Sequence, residues 1–165
     1  MKIEGRAIKY GDNIDTDVIL PGKYLTLTDP LELAQHALEG LDATFPKKAK
    51  TGIIVVGGKN FGCGSSREQA PIALKYAGAK CVIAESFARI FFRNAINIGL
   101  PVIESKGISN FANNNDHLVV DFNLADVKNL TTRESIHTNR LPQFILEILS
   151  DGGLIENLRK RLNKK

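Results

Sequence analysis

The feature that most constrains the fold is an alternation of apolar runs and helix-like segments in the middle of the chain. The first apolar run predicts a buried strand from Gly52 to Val56. A helix pattern follows from Pro71 to Ala77, where Gly78 ends it, and a second strand is predicted from Cys81 to Ala84. These three elements form a strand–helix–strand unit, which joins parallel strands.

The alternation then repeats once. Ser86 is predicted to cap a helix from Phe87 to Asn97, Gly99 ends it, and a third strand runs from Leu100 to Ile103. Two consecutive units of this kind predict parallel strands with crossover helices, and therefore an α/β fold.

The flanks of this core follow other patterns. Residues 1–30 are rich in turn-forming residues, whereas "DHLVVDFN" (116–123) predicts a later strand. "LPQFILEIL" (141–149) and "GGLIENLRKRL" (152–162) predict two closing helices. No repeat or low-complexity linker divides the chain, so residues 1–165 are predicted to form a single domain.

Composition excludes several classes of protein. Cys63 and Cys81 have neither the spacing of a zinc site nor the density of a disulfide scaffold, which favours reduced thiols in the cytoplasm. The net charge of +4 is dispersed except for "RKRLNKK" (159–165), which is typical of a solvated helix end. No apolar run is long enough to span a membrane. We therefore expect a soluble cytoplasmic protein that binds neither nucleic acid nor a membrane.

The segment "GGKNFGCGSSREQA" (57–70) joins the first strand to its helix and is rich in glycine. It lacks the third glycine of a dinucleotide fingerprint, where Arg67 stands, and the lysine of a P-loop. What remains is a turn with backbone N–H groups, the hydroxyls of Ser65 and Ser66, and the Arg67 guanidinium. These groups together predict an anion site.

A simpler interpretation of the two serines is that they cap the helix. Ser65 with Glu68, or Ser66 with Gln69, fits the capping box in which a serine and an acidic or amide side chain satisfy two N–H groups. Pro71 lacks an N–H group that such a helix would use, so the first turn is expected to be irregular. Both interpretations remain open at this point.

Three segments resemble one family. They are "GDNIDTDVILPGKYL" (11–25), the stretch from "GGKNFGCGSSREQA" through "SFARIFFRN" to "GLPVI" (57–103), and "DGGLIENLRK" (151–160). In them the chain resembles the small subunits of 3-isopropylmalate dehydratase, in the aconitase superfamily. The resemblance implies the swivelling β/β/α domain that forms the fourth domain of single-chain aconitases.

The resemblance also implies roles for individual residues. The serine of its G-S-S-R motif, here Ser65, is the base that removes a carbon-bound proton from the hydroxyacid. Ser66 and Arg67 correspond to groups that hold a substrate carboxylate. Asp17 corresponds to the acidic residue of a T-D-H motif, but Val18 stands here in place of the histidine. A turn or capping role for Asp17 is the alternative.

The family's chemistry uses a [4Fe-4S] cluster bound by three cysteines, and this chain has only two. The resemblance therefore implies that no cofactor or metal is bound here, and that the cluster lies on a separate large subunit. Together the two chains would isomerise 2-isopropylmalate and 3-isopropylmalate, a dicarboxylate pair, in leucine biosynthesis. A homoaconitase subunit, a citramalate (methylmalate-type) isomerase subunit and a non-catalytic anion-binding module are the alternatives.

Substrate choice is predicted to depend on the loop "YLTLTDP" (24–30). In the homoaconitase branch of the family, an arginine typically follows Tyr-Leu, where it suits the third carboxylate of a tricarboxylic substrate. This chain has Thr26 there, followed by Leu27. Because neither residue can neutralise a charge, we expect both to face the uncharged alkyl branch of a dicarboxylate. The alternative is that both are ordinary loop residues away from the substrate.

Overall fold

The computed structural model describes residues 1–163, in which seven strands form one mixed sheet flanked by helices. The strands are β1 (Lys2–Lys9), β2 (Ile53–Gly57), β3 (Ala79–Ala84), β4 (Val102–Glu104), β5 (His117–Asp121), β6 (Asp126–Asn129) and β7 (Glu134–His137). The helices are α1 (Thr16–Ile19), α2 (Pro30–Ala34), α3 (Phe45–Ala49), α4 (Gln69–Ala77), α5 (Arg89–Asn97), α6 (Ile108–Phe111), α7 (Gln143–Ser150) and α8 (Leu154–Leu162), and a 3₁₀ turn spans Gly22–Tyr24.

The sheet has a parallel half and an antiparallel half that meet at β1. The strand order is β4-β3-β2-β1-β5-β6-β7. β1, β2, β3 and β4 are parallel neighbours, with Arg6 opposite Ile53, whereas β5, β6 and β7 continue antiparallel from the other edge of β1. The α/β prediction is confirmed, and the mixed sheet distinguishes this fold from an all-parallel doubly wound sheet.

The parallel half contains the most deeply buried strands. All five residues of β2 are buried, as are five of the six in β3. Such continuous apolar runs are typical of strands that are covered on both faces. Their burial fixes where the loops at the carboxyl ends of these strands emerge.

Most elements predicted in the core are present, but two helix starts differ from the prediction. α4 begins at Gln69 rather than Pro71, and α5 begins at Arg89 rather than Phe87. Ser86 does not cap α5, because its hydroxyl accepts a hydrogen bond from the Asn60 N–H instead. The prediction of a Ser86 cap was therefore wrong.

The flanks contain more strands than the sequence predicted. The later strand and the two closing helices are confirmed as β5, α7 and α8. β1 lies within the stretch interpreted as turn-rich, and β6 and β7 were also missed.

The basic C-terminal segment is a helix with acidic neighbours. Its basic residues pair within α8 (Arg159–Glu156), with the preceding loop (Lys160–Asp151) and with α7 (Arg161–Glu147). This agrees with a solvated helix end, while Lys164 and Lys165 lie outside the described residues. Within residues 1–163, no helix combines the length and the apolar character needed to cross a lipid bilayer.

Candidate active site

Three loops meet at the carboxyl edge of the parallel half, after β1, β2 and β3. The loop after β1 joins the loop after β2 through Gly62 N–H to Ile14 C=O (2.8 Å) and Thr16 N–H to Cys63 C=O (2.8 Å). The loop after β3 also joins the loop after β2, through a hydrogen bond from Phe61 N–H to Ser86 C=O (3.0 Å). Ligands of open α/β sheets usually bind at this edge. The glycine-rich turn is therefore the central one of three linked loops.

Two glycines allow the close approach of these loops. Gly62 has φ +78°, and a Cβ there would overlap the ring of Phe91. Gly64 has φ +91°, and a Cβ there would overlap the carboxylate of Asp15. Both positions need a residue without a side chain, because the left-handed backbone and the close neighbours each disfavour one.

Ser65 and Ser66 are exposed and do not cap the following helix. Glu68 is the N-cap residue of α4, and no side chain bonds to the first N–H groups of that helix. The capping-box interpretation is therefore wrong. Thr16 Oγ1 donates to the carbonyl oxygen of Ser65 at 2.8 Å, which fixes the backbone there. Within residues 1–163 the Ser65 hydroxyl itself makes no hydrogen bond.

Arg67 is held in place by the loop after β1. Its Nη1 donates to Asp17 Oδ1 at 2.5 Å and to the carbonyl oxygen of Leu20 at 3.0 Å. Asp17 Oδ1 also accepts from the Gly22 N–H at 2.9 Å. The hydrogen bond from Arg67, more than that from Gly22, holds the pKa of Asp17 below its usual range. Asp17 therefore orients the guanidinium and joins it to the 3₁₀ turn.

The backbone of α1 fixes Asp17 in turn. Asp15 precedes this helix and its carboxylate accepts from the Asp17 N–H at 2.6 Å, as an N-cap residue does. Asp15, not Asp17, is therefore the cap of α1, and the capping alternative for Asp17 is wrong. The Asp17 side chain bonds instead to Arg67 and to the Gly22 N–H.

A pocket of about 380 Å³ opens between the glycine-rich turn and the beginning of α5. Its lining residues are Thr16, Gly62, Gly64, Ser65, Ser66, Arg67, Ala88, Arg89, Ile90, Phe91 and Asn94. The helix that faces the two serines is therefore α5, not α4 as the strand–turn–helix pattern suggested. No residue of α4 lines this pocket among the described residues. The structure brings Ser65, Ser66 and Arg67 together, with Asp17 bound to Arg67.

Thr26 and Leu27 lie outside this pocket. Thr26 is exposed, and Leu27 is half-buried against the apolar core. Their loop is anchored by Tyr24, whose hydroxyl donates to Glu39 at 2.8 Å and whose ring stacks on His36 at 3.6 Å. The contact between Asp17 and Gly22 joins this anchored loop to the site.

The cysteines do not fit a cluster site. Cys81 is fully buried in β3, and this burial raises its pKa strongly, which disfavours the thiolate that a metal requires. Burial, and secondarily the charge of Asp15, also raise the pKa of Cys63. Among residues 1–163, no group of three or more His, Cys, Asp or Glu side chains is placed to hold a metal ion. The described residues therefore do not fit an iron–sulfur cluster.

Comparison with known proteins identifies the family. Residues 12–107, which contain all three loops and the pocket, match the model of the aconitase C-terminal domain. The chain belongs to this family. The match begins after β1 and ends after β4, so it covers three of the four strands of the parallel half and the loops of the site.

Relatives within the aconitase family match along almost the whole chain. The isopropylmalate/citramalate isomerase small subunit of Methanocaldococcus jannaschii is 59% identical over 97% of this chain and 95% of its own. The 3-isopropylmalate dehydratase small subunit of Clostridium acetobutylicum is 54% identical over 98% of this chain and 99% of its own length. The chain is thus a member of the 3-isopropylmalate dehydratase small-subunit group.

A solved structure confirms the fold of this group. The crystal structure of 3-isopropylmalate dehydratase from Methanocaldococcus jannaschii superimposes with a TM-score of 0.92, at 49% identity, over 98% of this chain and 95% of its own. The expectation of an aconitase-type swivelling β/β/α fold is confirmed.

Two residues of the pocket were missed at the level of sequence. Arg89 and Asn94 belong to the "SFARIFFRN" segment (86–94), which marked the resemblance but received no role. The signal was their position just after a buried parallel strand, the same position that drew attention to the glycine-rich turn.

Proposed function

We propose that this chain is the small subunit of a two-chain hydro-lyase that interconverts 2-isopropylmalate and 3-isopropylmalate by dehydration and rehydration in leucine biosynthesis. The observation that carries the proposal is the full-length likeness to small subunits of this enzyme, at 50–59% identity. The loops that form the pocket lie within the matched residues. We also infer that the enzyme acts in the cytoplasm.

In this proposal Ser65 is the base that takes the proton from the substrate carbon. A serine hydroxyl is a weak base unless positive potential stabilises its alkoxide. The guanidinium of Arg67, two residues away in the same pocket, supplies such potential. Exposure of Ser65 and its lack of a hydrogen-bonded partner in residues 1–163 leave the hydroxyl available to a substrate.

Ser66 and the N–H groups of Arg67 other than those of Nη1 are proposed to bind a substrate carboxylate. Asp17 and the Leu20 carbonyl occupy Nη1 of Arg67 and fix the plane of the guanidinium. A fixed plane suits a carboxylate, because the planar fork can donate two parallel hydrogen bonds to it. Asp17 is in this sense a positioning residue, which acts through Arg67.

The departing hydroxyl group requires an acid that this chain does not supply. We propose that the large subunit provides it, on a [4Fe-4S] cluster bound by that subunit's own cysteines. Such a cluster acts as a Lewis acid toward the hydroxyl oxygen. The chain described here thus contributes the base and part of the carboxylate site, and the partner completes them.

The homoaconitase and non-catalytic alternatives are not favoured by the relatives. Citramalate is a second candidate substrate, because the relative from Methanocaldococcus jannaschii is named for both isopropylmalate and citramalate. The two substrates are dicarboxylates that differ in the size of an alkyl branch, so one pocket can accept both at different rates.

The test of this proposal is reconstitution from separate subunits. We expect the purified chain alone to bind no iron in stoichiometric amount and to show no isomerase activity. Addition of a large subunit reconstituted with iron and sulfide should restore turnover of isopropylmalate. Removal of iron from the mixture with a chelator should abolish that turnover again. Stoichiometric iron on this chain alone would overturn the assignment of the cluster to the partner.

Substrate choice gives a second prediction. Thr26→Arg should lower kcat/KM for isopropylmalate and raise it for homoaconitate, because the new guanidinium can pair with a third carboxylate. Thr28→Arg is the matched control, since Thr28 is also exposed and lies two residues along the same loop. The ratio of kcat/KM for the two substrates is the measurement. An unchanged ratio in Thr26→Arg would mean that this loop does not contact the substrate.

A further inference from the structure

The part of the pocket lining that comes from α5 carries a second cation. Arg89 is the first residue of α5, it is exposed, and it lines the same pocket as Ser65, Ser66 and Arg67. Of the described residues that line the pocket, only Arg67 and Arg89 have charged side chains. The two guanidinium groups therefore determine the charge that a substrate meets there.

The two arginines differ in what already binds them. Asp17 pairs with Arg67, so part of the charge of Arg67 is already compensated before any substrate enters. Arg89 makes no ion pair or hydrogen bond through its side chain within residues 1–163. A doubly charged dicarboxylate held by Arg67 alone would keep an uncompensated negative charge in a site that the partner covers, which is costly.

The position of Arg89 on its helix is not explained by helix stability. A positive charge in the first turn of an α-helix opposes the helix dipole and is therefore unfavourable there. No acidic residue occupies the first turn of α5 to compensate. On the same helix, the amide of Asn94 makes no hydrogen bond within residues 1–163.

We infer that Arg89 and Asn94 form a second substrate-binding wall, on which the Arg89 guanidinium pairs with a carboxylate of the bound hydroxyacid and the Asn94 amide donates to it. The inference rests on the proposed function and identifies further residues of the same site. The substrate then lies between two cationic walls, one from the glycine-rich turn and one from α5. Such a charge-assisted hydrogen bond acts in the ground state and the transition state alike, so it affects KM more than kcat.

Arg89→Gln in the complete two-subunit enzyme tests this inference. We expect KM for isopropylmalate to rise about 10- to 100-fold, the effect of losing a hydrogen bond to a charged group, with kcat changed less than about threefold. Arg89→Lys should recover part of the loss, because it keeps the charge without the planar fork. Asn94→Ala should raise KM less than Arg89→Gln does.

Arg93→Gln is the matched control. Arg93 lies one turn further along α5 and is also exposed, but it does not line the pocket. The Arg93→Gln substitution should therefore leave KM for isopropylmalate unchanged. The affinity of each variant for the large subunit is measured separately, by titration of one subunit with the other. Arg89→Gln should bind the large subunit as the wild type does.

Three outcomes would overturn the inference. An unchanged KM in Arg89→Gln would show that the guanidinium does not contact the substrate. A weaker affinity for the large subunit, with a normal KM once the complex is saturated, would assign Arg89 to the interface instead. An inactive wild-type complex would overturn the proposed function itself, and the second wall with it.

Discussion

Ser65→Ala in the assembled enzyme is expected to lower kcat by about 10²- to 10⁴-fold, with a smaller change in KM. This is the usual range for removing a positioned acid or base, since the hydroxyl is proposed to act in the transition state. Stability should hardly change, because the Ser65 hydroxyl makes no hydrogen bond within residues 1–163, and the bond from Thr16 goes to the backbone carbonyl. Steady-state kinetics and a thermal melt of the same preparation separate the two effects.

Ser66→Ala is the matched control for this variant. Ser66 is the adjacent exposed serine of the same pocket, but it is proposed to bind a carboxylate rather than to move a proton. Its loss should therefore raise KM and leave kcat nearly unchanged. If Ser66→Ala lost kcat and Ser65→Ala kept it, the two roles would have to be exchanged.

Gly62→Ala should destabilise the chain by about 2–5 kcal/mol. An alanine at φ +78° occupies left-handed backbone, which costs about 1–2 kcal/mol, and its methyl group would overlap Phe91, which adds about 1–3 kcal/mol of overpacking. Phe91 cannot move aside easily, because it is 2% exposed and packs edge-on against Phe61 at 5.4 Å. The melting temperature of the isolated chain should fall by roughly 5–15 °C.

Gly40→Ala is the control for this substitution. It adds the same methyl group, but no atom lies within 4 Å of the added Cβ and the backbone φ is not left-handed. We expect a change of less than about 0.5 kcal/mol, as for most surface substitutions. Equal melting temperatures for the two variants would show that the turn rearranges without cost, and that Gly62 does not fix the approach to α5.

The buried parallel strands could be predicted because their signal is local. β2 is a continuous apolar run, and β3 is apolar apart from Lys80 and follows Gly78, so both patterns can be recognised without knowledge of their neighbours. β1 gave a weaker signal, since its sequence "KIEGRAIK" mixes charges and a glycine with apolar residues. Its first five residues are exposed or half-buried, so only its place between β2 and β5 explains why it is a strand.

The candidate site was predicted in part for the same reason. The glycine-rich turn identifies Ser65, Ser66 and Arg67 as neighbours in sequence. The contact of Asp17 with Arg67 spans two loops, and only the resemblance drew attention to Asp17. The capping prediction failed because Glu68, not a serine, precedes the first turn of α4. Arg67, just before Glu68, bonds to the loop after β1, a contact that sequence spacing does not encode.

The central place of β1 has a consequence for how the chain folds during synthesis. Of the seven strands β1 is made first, yet one of its neighbours, β5, is made only after β2, β3 and β4. The parallel half and its three site loops can therefore assemble before the antiparallel half exists. During that interval the second edge of β1 has no partner and can pair with another nascent chain. In the folded protein the sheet edges are β4 and β7, strands of three and four residues, which are too short to offer such a template.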